Sequence, residues 1–143
     1  MGWIGAIRYL CVAVVLTIAC GASAGTAPAI DCGTVDQGPT DAYDGAGREC
    51  VWNAYAANRP LVWKVRAITI EGDPIPSELT FEPGRGFVIT RDVTADEFSA
   101  PGDRRIWTWR CAAASKQVWV TDPARYSFEF TGCQGDGATT VFP

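Results

Sequence analysis

The sequence of 143 residues contains no histidine. Without histidine the chain has no Ser-His-Asp triad, no Cys-His nucleophile and no H-E-x-x-H zinc site. The glycine-rich motifs of P-loop and dinucleotide-binding proteins are also absent. Lysine and arginine total 12 against 16 acidic residues and form no basic run, which argues against a nucleic-acid partner. These absences favour a protein that is not an enzyme, and we expect no cofactor and no metal.

Long apolar runs are scarce as well, and the clearest one covers residues 9–19, after the single basic residue Arg8. This run is too short to cross a bilayer as a helix, but its length is typical of the central region of an export signal. We therefore expect residues 1–19 to be a signal peptide, with 1–24 as the alternative. Either boundary predicts that the protein is exported, and it acts either at the outer face of the cell membrane or as a secreted protein.

Two processing sites compete at the end of this run. The sequence Leu-Thr-Ile-Ala-Cys20 resembles a bacterial lipobox, in which the cysteine is acylated and becomes the new N-terminus. The sequence Ala-Ser-Ala at 22–24 is an ordinary signal-peptidase site, which would release a soluble chain starting at Gly25. We expect acylation of Cys20, such as palmitoylation, and hence a lipoprotein attached to the membrane.

Four cysteines remain once Cys11 and Cys20 are assigned to the signal and its processing site. An even number without C-x-x-C spacing, in an oxidising compartment, predicts two structural disulfides and not a zinc site. Four cysteines allow three connectivities. The predicted strand layout favours two short-range pairs: Cys32 with Cys50, and Cys111 with Cys133.

The rest of the chain predicts a short tether, 20–31, and a single domain, 32–143. Asp44 is placed to cap a helix over about 45–58. Alternating apolar and polar residues then predict strands over about 61–71, 75–82, 87–92 and 104–111, and a hairpin over 116–132. The expected fold class is α+β, with one N-terminal helix packed on a four- to five-stranded antiparallel meander sheet, and two disulfides.

Several short motifs occur in a fixed order along this predicted domain. They are D31-C-G-T-V, I68-T-I-E-G-D-P-I75, L79-T-F81, D92-V-T-A-D96-E-F98, C111 and F130-T-G-C133. In this order and spacing the sequence resembles a family of small bacterial secreted proteins and lipoproteins of unknown function. The resemblance implies an exported single domain and supplies no catalytic residue.

Acidic pairs and tryptophans are the remaining candidates for a site. Glu71 with Asp73, or Asp92 with Asp96 and Glu97, would suit a glycosidase pair or calcium, but both groups read better as turn residues. Five tryptophans fall in the domain. Strand alternation predicts that three of them fill the core: Trp63, Trp107 and Trp109. It leaves two as candidate binding residues: Trp52 and Trp119.

We therefore expect an exported, lipid-anchored, non-catalytic envelope domain, monomeric, which binds an extracytoplasmic protein, peptide or glycan. The polar loop 93–103 is a third candidate contact, in addition to the two tryptophans. Two alternatives remain open. One is a hydrolase that uses carboxylates, and the other is a secreted inhibitory or structural module.

Overall fold

A computed structural model describes residues 27–38 and 43–136. The predicted signal peptide, Cys20 and most of the predicted tether lie outside these residues. The described elements are one helix and eight strands: β1 (Ile30–Gln37), α1 (Gly45–Ala56), β2 (Leu61–Ile68), β3 (Pro74–Glu82), β4 (Gly86–Asp92), β5 (Ile106–Cys111), β6 (Ala113–Trp119), β7 (Asp122–Thr131) and β8 (Gln134–Gly135). Within the described residues, no helix is long and apolar enough to cross a membrane.

The strands form a six-stranded sheet in the order β1-β2-β3-β4-β5-β8 and a separate two-stranded hairpin, β6-β7. Strands β2 to β5 are an antiparallel meander, as predicted, and β8 adds two residues to the edge of β5. Strand β1 pairs parallel to β2, and α1 makes the crossover between them. The prediction of one helix, a meander and two disulfides is confirmed, but the sheet is larger than predicted and is mixed.

The sequence pattern does not predict strand β1, which begins inside the predicted tether, or the two-residue strand β8. The sequence of β1, IDCGTVDQ, is mostly polar and lacks the alternation of a half-buried strand. Gly33 has φ 89°, and the pairing of β1 with β2 shifts register between Asp31 and Thr34. A strand with one neighbour and an interrupted register leaves little periodicity for sequence analysis to detect.

Helix α1 starts where the sequence predicts. The carboxylate of Asp44 accepts a hydrogen bond from the backbone N–H of Gly47 at 3.1 Å, which caps the first turn. Val51 and Ala54 are buried and face the sheet. The helix ends two residues earlier than predicted, and Asn58 then turns the chain with φ 52°.

Alanine at Gly47 is expected to destabilise the fold, although the same change in an exposed helix usually stabilises it. A Cβ at this position would clash with the Asp44 carboxylate and lie 2.5 Å from Nε1 of Trp63. Overpacking of this kind lowers the free energy of unfolding by about 1–3 kcal/mol. Denaturant unfolding of Gly47→Ala tests this, with Gly45→Ala as control, because a Cβ there meets only the Tyr43 ring at 3.4 Å. Equal stability of the two variants would contradict the packing argument.

The core lies on one face of the six-stranded sheet, beneath α1 and the β6-β7 hairpin. Its largest fully buried side chains come from the sheet and the hairpin: Trp63, Phe87, Phe128, Leu61, Leu79 and Ile89. Two disulfides join the layers. Cys32–Cys50 links β1 to α1, and Cys111–Cys133 links the end of β5 to the segment after β7. Both pairs are the ones that the predicted layout favours.

Candidate functional site

Large apolar side chains remain exposed on three segments of the described chain. They lie in the β2–β3 turn, in the β4–β5 loop with the first residue of β5, and at the tip of the hairpin: Ile70, Phe98, Ile106, Val118, Trp119 and Val120. Phe98 is 72% exposed and Val120 is 98% exposed. Single exposed apolar residues are common on protein surfaces, so their arrangement matters more than their number.

The strand directions place Ile70, Phe98 and Ile106 at the same end of the domain. Strands β2 and β4 end there, and β3 and β5 begin there, because neighbouring strands are antiparallel. The packing of the hairpin directs its tip toward the same end. Phe130, near its base, packs on Phe87 at the opposite end of the sheet, and Trp119, at its tip, contacts Tyr43 just before α1. We call this end, formed by segments 69–73, 93–106 and 118–122, the apolar end.

Loop 93–103 is held in place by its own hydrogen bonds. The Asp96 carboxylate accepts from the backbone N–H groups of Phe98 and Ser99 at 3.0 and 3.1 Å, and from the Ser99 hydroxyl at 2.6 Å. These bonds, above all the one from the Ser99 hydroxyl, lower the pKa of Asp96. Arg104 donates to the backbone oxygens of Ser99 and Glu97. The loop therefore presents Phe98 on a fixed support.

The turn that carries Ile70 is joined to the same loop. The Asp73 carboxylate accepts a hydrogen bond from the backbone N–H of Glu97 at 3.0 Å. The backbone N–H of Asp73 donates to the Thr69 hydroxyl at 3.0 Å, which closes the turn. Ile70 and Phe98 are thus two exposed apolar residues on one connected structure.

Three of the five candidate carboxylates hold these loops, and the other two, Glu71 and Glu97, are exposed. Asp92 accepts from the backbone N–H and the hydroxyl of Thr94 at 2.9 and 2.6 Å, which lowers the pKa of Asp92. Asp73 and Asp96 are engaged with the loop backbone in the same way. The interpretation of these acids as turn residues agrees with this geometry. Across residues 27–38 and 43–136, no group of three or more His, Cys, Asp or Glu side chains is placed to hold a metal ion.

Three of the five tryptophans lie as the strand pattern predicts, and Trp107 and Trp52 differ from it. Trp63 and Trp109 are buried, and Trp107 is half-buried, with its ring stacked on that of Trp109 at 6.1 Å. Trp119 is 42% exposed at the hairpin tip. Trp52, expected as an exposed contact, is half-buried on α1 and packs edge-on against Tyr55. Of the two candidate binding residues, only Trp119 lies at the apolar end.

A polar cluster between α1 and the hairpin fixes the tip that carries Trp119. Glu49 accepts hydrogen bonds from Lys116 at 3.1 Å and from the Tyr126 hydroxyl at 3.0 Å. Burial, followed by the bond to Glu49, raises the pKa of Tyr126. The Tyr43 hydroxyl accepts from the backbone N–H of Tyr126 at 3.1 Å. These bonds pin the hairpin to the start of the helix, so Trp119 sits on a preorganised support.

The uncovered face of the sheet carries a broad depression of about 730 Å³. Its charged groups are paired with one another. Arg66 binds the Asp36 carboxylate through two hydrogen bonds, and Lys64 lies 3.8 Å from Glu78. Asp92, which also lines the depression, accepts hydrogen bonds from Thr94, so these charged groups already have partners within the domain.

The chain matches no protein-family model, no curated protein and no solved structure. Its resemblance to small exported bacterial proteins therefore stays a prediction.

Most of the apolar end was not recognised from the sequence. The sequence predicts Trp119 and loop 93–103 as contacts, but not Ile70, Ile106, Val118 or Val120. The sequence did hold a signal for the hairpin tip: Val118, Trp119 and Val120 are consecutive apolar residues, which breaks strand alternation. What the sequence alone does not reveal is that the three segments lie toward one end of the domain.

Proposed function

We propose that this protein is an exported, non-catalytic binding domain, anchored through acylated Cys20, whose apolar end contacts an extracytoplasmic protein or peptide. The observation that carries the proposal is the exposure of large apolar side chains at one end, where a hydrogen bond joins the turn of Ile70 to the loop of Phe98. Exposed apolar clusters on rigid supports are typical of interaction sites. The hydrogen bonds of loop 93–103 and of the hairpin lower the conformational entropy lost on binding.

The point where the chain enters the domain bears on how the domain faces the membrane. Ile30, the first residue of β1, donates its backbone N–H to Pro60 at the end of the domain opposite the apolar end. Strand β2 alone separates the two ends by roughly 26 Å, at about 3.3 Å per residue over its 8 residues. A lipid on Cys20 would attach the domain from the entry side. This attachment leaves the apolar end free to face away from the membrane.

The structure gives less support to the two alternative functions, a hydrolase and an inhibitory module. A hydrolase needs two carboxylates that converge on a substrate. Asp73, Asp92 and Asp96 are instead hydrogen-bonded to loop backbone, and Glu71 and Glu97 are exposed on the surface. An inhibitory module is favoured by one observation, the fixed loop that projects Phe98. Inhibition is itself a mode of partner binding, and it would use the same apolar end.

Photo-crosslinking in the producing cell tests the proposal. A photoreactive phenylalanine analogue replaces Phe98 or Trp119 at the apolar end, and Arg85, which is largely exposed at the opposite end, serves as the control position. We expect a discrete crosslinked protein adduct from the first two positions and none from the third. Adducts of equal yield at all three positions, or none at any of them, would refute a binding function of the apolar end.

A further inference from the structure

The apolar end carries an excess of negative charge around Ile70 and Phe98. Segments 69–73 and 93–106 contain five carboxylates against two arginines. The two arginines are engaged within the domain. Arg104 donates to loop carbonyls, and Arg105 lies over the Trp107 ring at 4.0 Å and 3.6 Å from Asp136.

Two of the carboxylates stand directly beside the apolar tips. Glu71 follows Ile70 and Glu97 precedes Phe98, and both glutamates are exposed. Neither side chain makes an ion pair or a hydrogen bond within the described residues. Of the other three acids, Asp73 and Asp96 accept from backbone N–H groups, and Asp103 is exposed at the end of the loop. The free negative charge therefore lies at the rim of the apolar surface.

We infer that the partner of the apolar end is a protein surface whose apolar patch is bordered by lysine or arginine side chains. This inference rests on the proposed binding function and specifies its chemistry. In a protein interface, buried apolar side chains at the centre provide most of the affinity. Charges at the rim guide association and disfavour partners of the same sign. Ile70 and Phe98 suit the first role, and Glu71 and Glu97 suit the second.

A lipid surface fits these observations less well. Insertion of Phe98 or Ile70 into a bilayer would bring Glu97 and Glu71 to the headgroups. Surfaces that contain anionic lipid attract basic segments and repel acidic ones. The acidic rim therefore favours a basic protein surface over a membrane.

Selection from a random peptide display library on the oxidised domain, immobilised at its N-terminus, tests the inference. We expect enriched peptides to combine leucine or aromatic residues with lysine or arginine. The strongest peptide is then synthesised, and its dissociation constant is measured by calorimetry. We expect binding to weaken at least about tenfold for Phe98→Ser and for Glu71→Lys combined with Glu97→Lys.

The matched control reverses two charges away from the apolar end. Glu82→Lys combined with Glu129→Lys changes the net charge by the same amount, at exposed positions at the end of β3 and on β7. We expect this variant to bind the peptide like the wild type. Equal weakening by both double variants would reveal attraction by net charge alone and would overturn the inference.

The remaining outcomes separate the inference from the proposed function. The enriched peptides could lack basic residues and still fail to bind the Phe98→Ser variant. That result would overturn the inferred basic border of the partner, and the binding function of the apolar end would stand. No enriched peptide, together with no photo-crosslink, would overturn both. Partition of the domain into phosphatidylcholine vesicles, with a blue shift of tryptophan emission lost in Trp119→Ser, would assign the apolar end to a membrane.

Discussion

Replacing Phe128 by alanine is expected to lower the free energy of unfolding by about 3–5 kcal/mol. Phe128 is only 1% exposed, and its ring lies in the middle of the hairpin's inner face. It contacts the rings of Trp63 at 6.5 Å and Tyr126 at 5.6 Å. The hairpin shares no strand pairing with the six-stranded sheet, so buried side chains of this kind hold the two layers together.

Phe98→Ala makes the same chemical change at the apolar end and serves as the control. The Phe98 side chain is 72% exposed, so we expect the free energy of unfolding to change by no more than about 0.5 kcal/mol. Denaturant unfolding followed by tryptophan fluorescence measures both variants. If Phe128→Ala does not fold, Phe128→Leu keeps most of the apolar volume and is expected to lose less than about 1.5 kcal/mol. Similar losses for Phe128→Ala and Phe98→Ala would contradict the packing described here.

The contrast between these two phenylalanines also bears on function. A side chain such as Phe128 stabilises the fold, whereas the exposed ring of Phe98 contributes little to it. Loss of partner binding in a Phe98 variant of unchanged stability would therefore report on recognition and not on folding. This separation makes Phe98 the most useful position for testing the apolar end.

Sequence patterns predicted the parts of the fold that depend on local chemistry. Asp44 marked the helix start, because a short acidic side chain there can accept from the first turn. The alternation in β2 and β3 identified the core face, because side chains alternate between the faces of a sheet. The preference for the two observed disulfides followed from placing those elements in order.

What the sequence could not predict depends on contacts between distant segments. The parallel pairing of β1 with β2 is set by the crossover of α1 and not by any pattern within β1. Trp52 looked accessible, yet it is half-buried because the hairpin brings Lys116 to 5.1 Å from its ring. The apolar end likewise exists only because the meander and the hairpin point in the same direction.

The two disulfides are expected to differ in what their removal does to the domain. Their sequence separations are 18 and 22 residues, so chain-entropy models assign each a similar contribution of about 3 kcal/mol. Their surroundings are different. Cys111 is buried in the core, whereas Cys32 and Cys50 are half-buried on the β1 side. Replacing Cys111 by alanine therefore also removes buried packing contacts in the core. The same replacement at Cys32 removes fewer of them.

We expect Cys111→Ala combined with Cys133→Ala to lower global stability by more than about 3 kcal/mol, because a cavity adds to the entropic loss. We expect Cys32→Ala combined with Cys50→Ala to lower it less and to raise hydrogen exchange mainly in β1. That strand has one hydrogen-bonded neighbour and an interrupted register, so it depends most on its covalent link to α1. Exchange measured by mass spectrometry, together with denaturant unfolding, distinguishes the two variants. Equal global losses, or exchange in β1 that stays at the wild-type rate, would show that the edge strand is held by its hydrogen bonds and not by the disulfide.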